Sequence, residues 1–519
     1  MKNFLKKFKN PLIYIALGFL LLNLLINFTV YKGDVFDVHF PGKDEFGTSS
    51  FVITTLFGIA GSIGLFLTNK KKWKEENIYL MLVIPLSILY LICNPIGKVT
   101  DEDMHARKAM AISYGNFFSI ADKDGKATYP MNTKINELVS RTTSSYEEAI
   151  NRINAEETDE KVSLEYTTMA LYAPICHMPQ AFGMFITRIF GASIVVQCYA
   201  ARVVNLGLAI FLTYMAIKLI PFKKYLILFI GLLPITLNEF ASMASDALAI
   251  SFCFFYISYI LYLTYREKNI VKKEKILILC FSLIIALLKI VYLPLVFLIL
   301  LIPKEKFNTR KEKTIFLIVV ITLAIILNLI WLVYCSRFLI EFNGGVDSGA
   351  QTINILTHPI SYIMIMFRTL NAFAQTFIVS LCGEGLGHYN VQASALYVFS
   401  SLMFLTVLFF SREKDEKIEF NVYSKVVCGL VFVMTVALIY TSVYVQWTPY
   451  TKPIINGIQA RYFIPLLPIV AIILDNKNII INKLNKLYVY LFMLFFNLNA
   501  ISMIMYTYIN GTVLDFYIK

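Results

Sequence analysis

The sequence predicts a polytopic helical membrane protein, and two observations carry that prediction: its composition and its long apolar runs. Of its 519 residues, 58% are hydrophobic and only 16% are charged, whereas soluble proteins are about 45–50% apolar and about 25% charged. Many apolar runs reach the roughly 17–25 residues that a helix needs to cross the hydrocarbon layer. A membrane β-barrel would instead show alternating segments of about ten residues.

The placement of the basic residues supports the same class and predicts an orientation. The formal charge of +13 is concentrated in short loops that alternate with acidic or nearly neutral loops. This is the positive-inside pattern, with some attraction to anionic headgroups. The expected partners of these charges are therefore membrane lipids and not nucleic acid. The basic loops are residues 2–9, 70–74, 223–224, 268–275, 304–313, 412–417 and 477–486.

With these loops inside, the chain makes about thirteen crossings from a cytoplasmic N-terminus. The eight cysteines include no C-x-x-C pair, so neither a disulfide framework nor a zinc site is expected. No sequence repeat of fixed period is visible. The predicted spans are residues 11–30, 50–68, 78–93, 195–219, 225–237, 244–265, 276–302, 314–334, 395–410, 426–445, 462–474 and 487–506.

The stretch 276–302 differs from the other spans. Basic loops flank it on both sides, so it should cross an even number of times, yet at 1.5 Å per residue it is too short for two full spans. Lys289, Tyr292 and Pro294 lie at its middle. We therefore expect two short helices that meet at a polar point below the outer surface.

The largest polar segment, residues 95–172, is predicted to be an ordered outer loop. Residues 104–118 and 135–153 show helical periodicity, which favours interfacial helices over a plain linker. Pro174 and Pro179 then frame a short helix. A second outer region contains an amphipathic stretch at residues 360–381.

Charged side chains at membrane depth call for a partner or a function, because each costs roughly 2.5–3.5 kcal/mol on insertion scales. By this topology nearly all of them fall on the outer side, although they are far apart in sequence. The pattern predicts one outward-facing site. The candidates are Asp101, Glu102, His105, Arg107, His177, Arg202, Asp246, Lys289, Glu384 and Arg461.

The cluster that begins at Asp101 directly follows the apolar run 78–93 and has two interpretations. Asp101 and His105 share a helix face at i,i+4 spacing, as do Asp103 and Arg107, and such groups can hold a proton, a metal ion or a phosphate. Alternatively, Thr100 and Asp103 form a capping box at a helix start. The residues alone leave both open.

The remaining candidates also have competing interpretations. Lys289 either snorkels to the interface or binds a phosphate, and Asp246 either caps the following helix or belongs to the site. Arg461 begins a helix, where a cation opposes the helix dipole, so an anionic partner is expected. His177 taken alone is more often a packed histidine than a ligand.

Seven motifs in this order resemble a bacterial membrane family known as domain of unknown function 2142, over residues 78–475. They are Asp101-Glu102-x-x-His105-x-Arg107, Ser113-Tyr114-Gly115, Tyr172-x-Pro174-x-x-x-x-Pro179-Gln180-Ala181-x-Gly183, Arg202-x-x-Asn205, Ser242-x-x-Ser245-Asp246, Lys289-x-x-Tyr292-x-Pro294 and Gln459-x-Arg461-Tyr462-x-x-Pro465. That family is similar to the GT-C glycosyltransferases, polytopic enzymes that use polyprenyl-phosphate sugars as donors.

The resemblance implies a GT-C-like helical bundle with an ordered first outer loop. The core would be residues 78–475, including the outer loop 95–172. An N-terminal membrane hairpin (1–77) would precede it and a C-terminal transmembrane helix (476–519) would follow. The resemblance also implies that Asp101 is the catalytic base, with Glu102 as the alternative.

The expected function is transfer of a sugar, with inversion, from a polyprenyl (undecaprenyl) phosphate to an acceptor in the cell envelope. The acceptor would be a polysaccharide, a teichoic acid or a lipid, on the outer face of the bacterial cytoplasmic membrane. A carboxylate can serve as general base, and Arg and Lys pair well with phosphate. The substrate- and phosphate-binding candidates are His105, Arg107, His177, Arg202, Asp246, Lys289, Tyr292 and Arg461.

Cofactor use and the reaction class stay open at this level. A divalent cation, Mg²⁺ or Mn²⁺, is a candidate cofactor, with Asp101, Glu102 and His105 as its candidate ligands. The rival functions are a transporter or flippase of lipid-linked sugars and a polysaccharide polymerase or ligase. Transporters usually carry internal repeats, so their absence from the sequence favours an enzyme.

Overall fold

The computed structural model describes residues 15, 17–18, 20–22 and 43–509, except 342–343, 390, 392, 412–417, 451 and 476–485. Most of the predicted first span (11–30) and the basic loops at 2–9 and 412–417 lie outside the described residues. So does nearly all of the basic loop 477–486.

The described chain is mostly helical, and eight of its helices are long and apolar enough to cross a membrane. Helices suit this setting because all their backbone hydrogen bonds are made within the segment, where no water could satisfy them. These helices are consistent with the predicted multi-pass membrane architecture. The eight helices are Lys43–Lys70, Glu75–Cys93, Ile194–Leu219, Asp246–Tyr265, Arg310–Cys335, Pro359–Leu381, Val422–Trp447 and Lys486–Ile509.

Shorter helices fill the gaps between these spans, and two of them replace a predicted single helix. The span expected at residues 225–237 is broken into Lys224–Gly231 and Pro234–Phe240. Leu233, before the proline, is extended (φ −59°, ψ 138°), because proline disfavours helical geometry at the preceding residue. The other short apolar helices are Lys272–Leu288, Ala395–Phe410, Leu467–Ile473 and the 3-10 helices Ile290–Leu301 and Ala460–Leu466.

The predicted polar break at Lys289 is confirmed. Helix Lys272–Leu288 ends and the 3-10 helix Ile290–Leu301 begins at this residue, whose backbone is extended (φ −153°, ψ 134°). Only one side chain, that of Lys289, lies at the junction of the two helices. The break leaves this side chain free to pair with a residue of another helix.

The stretch predicted to be amphipathic and in an outer region forms a helix with nearly the expected bounds, but it has the length and composition of a membrane span. Pro359–Leu381 has 23 residues and is among the eight helices with the length and composition of a span. Polar residues such as Arg368 and Asn371 interrupt its apolar face, which is why the sequence pattern favoured a surface position. Three short segments complete this half of the chain: Lys304–Lys306, Ser336–Phe338 and Ser348–Thr357, with a turn at Leu386–Tyr389.

The polar segment at residues 95–172, here called the outer segment after its predicted side, is ordered, as predicted, but it also contains a small sheet that helical periodicity did not reveal. Strands β1 (Thr128–Asn132) and β2 (Lys161–Glu165) pair antiparallel, with Thr128 opposite Glu165. The strands are short and far apart along the chain, so no local alternation of apolar and polar residues indicates them. The helices here and just after it are Glu102–Ser113, Thr133–Leu138, Tyr146–Asn154, Thr167–Ala170, Pro174–His177 and Met178–Ile189.

The outer segment packs into a second hydrophobic core, which also takes in Ile194, Cys198 and Ala201 of helix Ile194–Leu219. Met110, Met131, Ile135 and Met184 are among its buried members, while the larger core runs through the long helices. The helix Glu102–Ser113, here called the loop helix, packs on Met178–Ile189. Its first residue is also tied to a long helix, because Glu102 pairs with Arg202 of Ile194–Leu219.

Candidate functional site

Asp101 precedes the loop helix in a left-handed backbone conformation (φ 64°, ψ 6°). Aspartate tolerates this region better than most residues, but it still costs about 1–2 kcal/mol. No side chain caps the helix, and its N-cap position is Asp101 and not Thr100, so the capping-box interpretation is wrong. A strained residue that does not cap a helix is a candidate for function.

Glu102, the neighbouring acid, is held on all sides. Its Oε1 accepts from Arg202 Nε at 2.7 Å and from the Met243 amide at 2.9 Å. Its Oε2 accepts from Arg202 Nη2 at 2.6 Å and from the Gly97 amide at 2.8 Å. Glu102 is fully buried, so its carboxylate has no free face for a substrate. This arrangement favours a structural role over the predicted catalytic one.

Arg202 is equally enclosed. Besides Glu102, it donates to the carbonyls of Asn94 and Pro95 at 2.9 and 3.0 Å. All three guanidinium nitrogens are thus used within the protein, and the residue is fully buried. Arg202 ties the turn before Asp101 to helix Ile194–Leu219 and positions the site without facing it.

Other residues of the sequence motifs hold a second turn, at residues 242–245. The Asn205 amide donates to the carbonyls of Ser242 and Ala244 at 2.8 and 3.0 Å. The Gln180 amide donates to Met243 and Ala244 at 3.3 and 3.2 Å. These bonds fix the turn that leads into Asp246.

Arg461 lies at the centre of the charged residues. Its Nη2 donates to Asp101 Oδ2 at 2.5 Å, and its Nη1 donates to the Thr100 carbonyl at 3.0 Å and to Glu239 Oε1 at 3.2 Å. Its Nε lies 3.6 Å from Asp246 Oδ2. The expected anionic partner of Arg461 is therefore a set of three carboxylates from three parts of the chain.

Lys289 pairs with Asp246 and is largely enclosed. Its Nζ donates to Asp246 Oδ1 at 2.6 Å and lies 5.3 and 5.1 Å from the ring centres of Tyr172 and Tyr462. The lysine thus points into the protein and does not snorkel. No side chain caps helix Asp246–Tyr265, so Asp246 acts as the partner of Lys289 and not as a cap. Tyr292 donates to the Tyr462 carbonyl at 3.1 Å and so helps to position the residue whose ring lies beside Lys289.

His105 and His177 form a buried pair, with Nδ1 and Nε2 respectively 2.8 Å apart. The ring of Tyr172 meets both edge-on. Burial lowers the pKa of His105 to about 4 although Asp246 and Asp101 oppose this, and burial lowers that of His177 further below its usual value. Both rings are therefore neutral at pH 7, and one N–H is shared between them. His177 is thus part of the site and not an isolated packed ring.

Asp101 is the carboxylate of this group that solvent reaches. Its side chain is 27% exposed, against 3% for Glu239 and 1% for Asp246. Burial raises its pKa, but the charges of Arg461 and Arg141 and the hydrogen bond from Arg461 outweigh that effect and hold the pKa below its usual value. Asp101 is therefore ionised at neutral pH.

Two residues near Asp101 in the sequence, Asp103 and Arg107, bond to groups outside this set of charges. Asp103 pairs with Arg141 at 2.7 Å, so the predicted i,i+4 pair with Arg107 is wrong. Arg107 instead donates to the Glu165 carbonyl at 2.9 Å and to Asn136 Oδ1 at 2.7 Å. Arg107 thus ties the loop helix to β2 and to helix Thr133–Leu138 and lies apart from the charged site.

Seven residues make up what we call the charged cluster, and the sequence predicted six of them. Glu239 is the one it missed. The signal was available, because Glu239 is an isolated acid between two apolar runs. The cluster consists of Asp101, His105, His177, Glu239, Asp246, Lys289 and Arg461.

The cluster also contains buried polar atoms without hydrogen-bond partners. They are Glu239 Oε2, Asp246 Oδ2, Arg461 Nε and His177 Nδ1. Each such atom costs about 1–3 kcal/mol when left unpaired, so several together mark a place for a ligand or ordered water. The gap between Arg461 Nε and Asp246 Oδ2 in particular is too long for a direct hydrogen bond.

The predicted metal ligands do not form a metal site. Within the part of the chain that the structure describes, no three His, Cys, Asp or Glu side chains are grouped to hold a metal ion. Glu102 is saturated by Arg202 and two amides, and Asp101 is paired with Arg461. The donor set of Asp101, Glu102 and His105 therefore does not fit a divalent cation.

A cavity of about 420 Å³ lies apart from the charged cluster. Its walls are largely apolar and include Ile53 and Met505 of two long helices and Tyr146 of the outer segment. None of the cluster residues lines it. The groups suited to acid–base chemistry and phosphate binding therefore lie in the cluster and not in this cavity.

Comparison with known proteins gives a family but no activity. No curated protein and no solved structure matches the chain. A family described as predicted membrane protein, DUF2142, matches residues 85–470, a region that contains the whole charged cluster. Because this match covers most of the chain, the protein belongs to the DUF2142 family of predicted membrane proteins.

Proposed function

We propose that this protein is an inverting membrane glycosyltransferase that moves a sugar from a polyprenyl-phosphate donor to a cell-envelope acceptor. The reaction would take place at the outer face of the bacterial membrane. One observation carries the proposal. A strained, ionised and partly exposed Asp101 is paired with the buried cation Arg461, and a second buried cation, Lys289, pairs with Asp246, which also lies near Arg461.

Asp101 has the properties of a general base toward an acceptor hydroxyl. It is the accessible carboxylate of the cluster, and its low pKa keeps it deprotonated at neutral pH. A base of this kind accepts the proton as the hydroxyl attacks, and contributes typically 10²–10⁴-fold to a rate. The surrounding structure keeps Asp101 in its strained backbone conformation, and the bond from Arg461 fixes its carboxylate before the substrate arrives.

Arg461 and Lys289 are the groups suited to the phosphate. A guanidinium binds two phosphate oxygens at once, whereas an ammonium acts as a point charge. Both cations are held by carboxylates in this structure. A phosphate that binds Arg461 would draw it away from Asp101, and the loss of that neighbouring cation would make Asp101 a stronger base. Donor binding would thus activate the base.

The transporter alternative is supported by the interrupted helices. The chain breaks at Lys289 and before Pro234 within apolar regions, and broken helices with central polar groups are features of transporters. A transporter would move a lipid-linked sugar without needing Asp101 as a base. Bond formation therefore separates the two functions.

The test is sugar transfer by the purified protein in lipid vesicles. A panel of undecaprenyl-phosphate sugars serves as donors, and envelope material from the source cells serves as acceptor. We expect Asp101→Asn to lower transfer by about 10²–10⁴-fold while the protein remains folded. Asp124→Asn removes an exposed acid of the outer segment and should keep the wild-type rate.

Two results would count against the proposal. Transfer at the wild-type rate by Asp101→Asn would exclude Asp101 as the base. Movement of the lipid-linked sugar across the vesicle membrane, with no new glycosidic bond for any donor, would favour the transporter.

A further inference from the structure

The charge balance of the cluster poses a problem for any anionic ligand. Three carboxylates, those of Asp101, Glu239 and Asp246, share Arg461, and Lys289 adds one further buried cation. Both histidines are neutral. A phosphate would add at least one more negative charge to this partly dehydrated space. Like charges held this close together cannot all stay ionised.

Glu239 is the carboxylate best placed to relieve that excess. Asp246 has a bond of 2.6 Å to Lys289 and Asp101 one of 2.5 Å to Arg461, whereas Glu239 has only the longer contact of 3.2 Å to Arg461. Its Oε2 is buried and without a partner. A proton on that oxygen would be accommodated at once, and would turn the acceptor into a donor.

The charged groups that affect Glu239 all belong to the charged cluster. Arg461 of the 3-10 helix Ala460–Leu466 bonds it directly, and the charges of Asp246 and Lys289 also act on it. Asp101 shares Arg461 with it. Helix Glu75–Cys93 also packs against its helix and adds a neutral contact, from Asn94 to Asn238 at 2.8 Å. When Arg461 turns toward a ligand, Glu239 loses its closest countercharge.

We propose that Glu239 is a third phosphate-binding residue, which takes up one proton when the anion binds and donates its Oε2–H to a phosphate oxygen. The proton comes from solvent and returns to it when the anion leaves. The inference rests on the phosphate site of the proposed function, since it assumes that the anion binds at Arg461.

The protonation state of the free protein sets the pH range of the effect. Burial raises the pKa of Glu239, although Arg461 opposes this. Below the raised pKa the acid already carries its proton, and binding is independent of pH. Above it, each binding event must draw a proton from solvent, so affinity should fall by up to about tenfold per pH unit.

The test is calorimetry of farnesyl methyl phosphate binding to the full chain in detergent micelles. This phosphodiester carries one charge that does not titrate near neutrality, so any pH dependence belongs to the protein. Titrations at about pH 8 in HEPES and in Tris, buffers with different ionisation enthalpies, count the protons taken up. We expect about one proton per bound ligand for the wild type.

Variants assign that proton to a residue. Glu239→Gln should take up none and should bind with an affinity that does not change with pH. Glu137→Gln is the same chemical change at an exposed site of the outer segment and should behave as wild type. Because the wild-type measurement needs no variant, a poorly folded Glu239→Gln protein leaves the inference testable.

Three outcomes would overturn the inference. They are no binding of the diester, binding by the wild type without proton uptake, and uptake that persists in Glu239→Gln. The proposed function is judged separately. Diester binding with proton uptake but no sugar transfer would retain the Glu239 site and reject the transferase, and sugar transfer without proton uptake would do the reverse.

Discussion

At the residue scale, two adjacent acids lie in opposite environments, one buried and one reached by solvent. Asp101 and Glu102 look equivalent in the sequence, yet Glu102 is sealed by Arg202 and Asp101 faces solvent. Side chains of consecutive residues at a helix start point in different directions, since only residues three or four apart share a face. One acid therefore points into the protein and its neighbour toward the site.

The buried histidine pair should make folding sensitive to mild acid. The pKa of His105 is about 4 in the folded protein and about 6.5 when unfolded, so between these values the unfolded state binds more protons. Stability should fall as pH falls through this window, by on the order of 3 kcal/mol. The thermal unfolding midpoint in detergent, measured from neutral pH down to about 4, checks this.

His105→Asn should show a shallower loss of stability over that range, because the titrating ring is gone. His358 is exposed, so His358→Asn should retain the wild-type profile. Identical profiles for wild type and His105→Asn would show that the buried ring does not control acid sensitivity.

At the element scale, the turn between helix Glu75–Cys93 and the loop helix controls the position of Asp101. Gly97 in this turn has φ +85°, and an added Cβ would lie 2.4 Å from the Val139 backbone. Glu102 accepts from the Gly97 amide. The close approach of two backbone segments thus requires glycine and links the turn to the Glu102–Arg202 pair.

Gly97→Ala should displace this turn and with it Asp101. Gly115 is a matched control, because its φ is +89° but nothing lies within 4 Å of an added Cβ. Both changes lose a left-handed glycine, at about 1–2 kcal/mol, and only Gly97→Ala adds a clash, worth about 1–3 kcal/mol more.

We expect Gly97→Ala to lower both the unfolding midpoint and the rate of sugar transfer, and Gly115→Ala to lower the midpoint slightly at an unchanged rate. Transfer assays and thermal unfolding of the two variants, run in parallel, make the comparison. Equal losses of transfer would mean that the turn does not position Asp101.

At the scale of the whole molecule, the basic loops and the charged cluster occupy opposite ends of the predicted topology. The positive-inside rule puts the loop at residues 268–275 in the cytoplasm, and the outer segment with the cluster on the other side. An enzyme that uses donors presented at the outer face requires this orientation.

Cysteine labelling in intact cells tests the orientation. Among the native cysteines Cys280 is exposed and the others are buried. Cys280→Ser therefore removes the exposed native thiol and leaves little background labelling. Glu156 of the outer segment and Lys268 of the basic loop are both exposed. A membrane-impermeant maleimide should label Glu156→Cys directly and Lys268→Cys only after permeabilisation. The opposite pattern would place the cluster in the cytoplasm.

The sequence by itself determined the membrane class, the bounds of most long helices, the ordered outer segment and the polar break at Lys289. These follow from local properties, since the length of an apolar run, its periodicity and a proline act over a few residues. It also named six of the seven cluster residues, because a charge in an apolar region is costly wherever it lies.

Only the tertiary structure decided how those charges are used. Arg461 and Asp101 are 360 positions apart, and nothing local to either residue predicts their bond. The same holds for the ion pair of Glu102 with Arg202, for that of Glu239 with Arg461, and for the pairing of β1 with β2. Hydrogen bonds and charge interactions depend on distances of a few ångströms in space, which chain packing sets and sequence spacing does not.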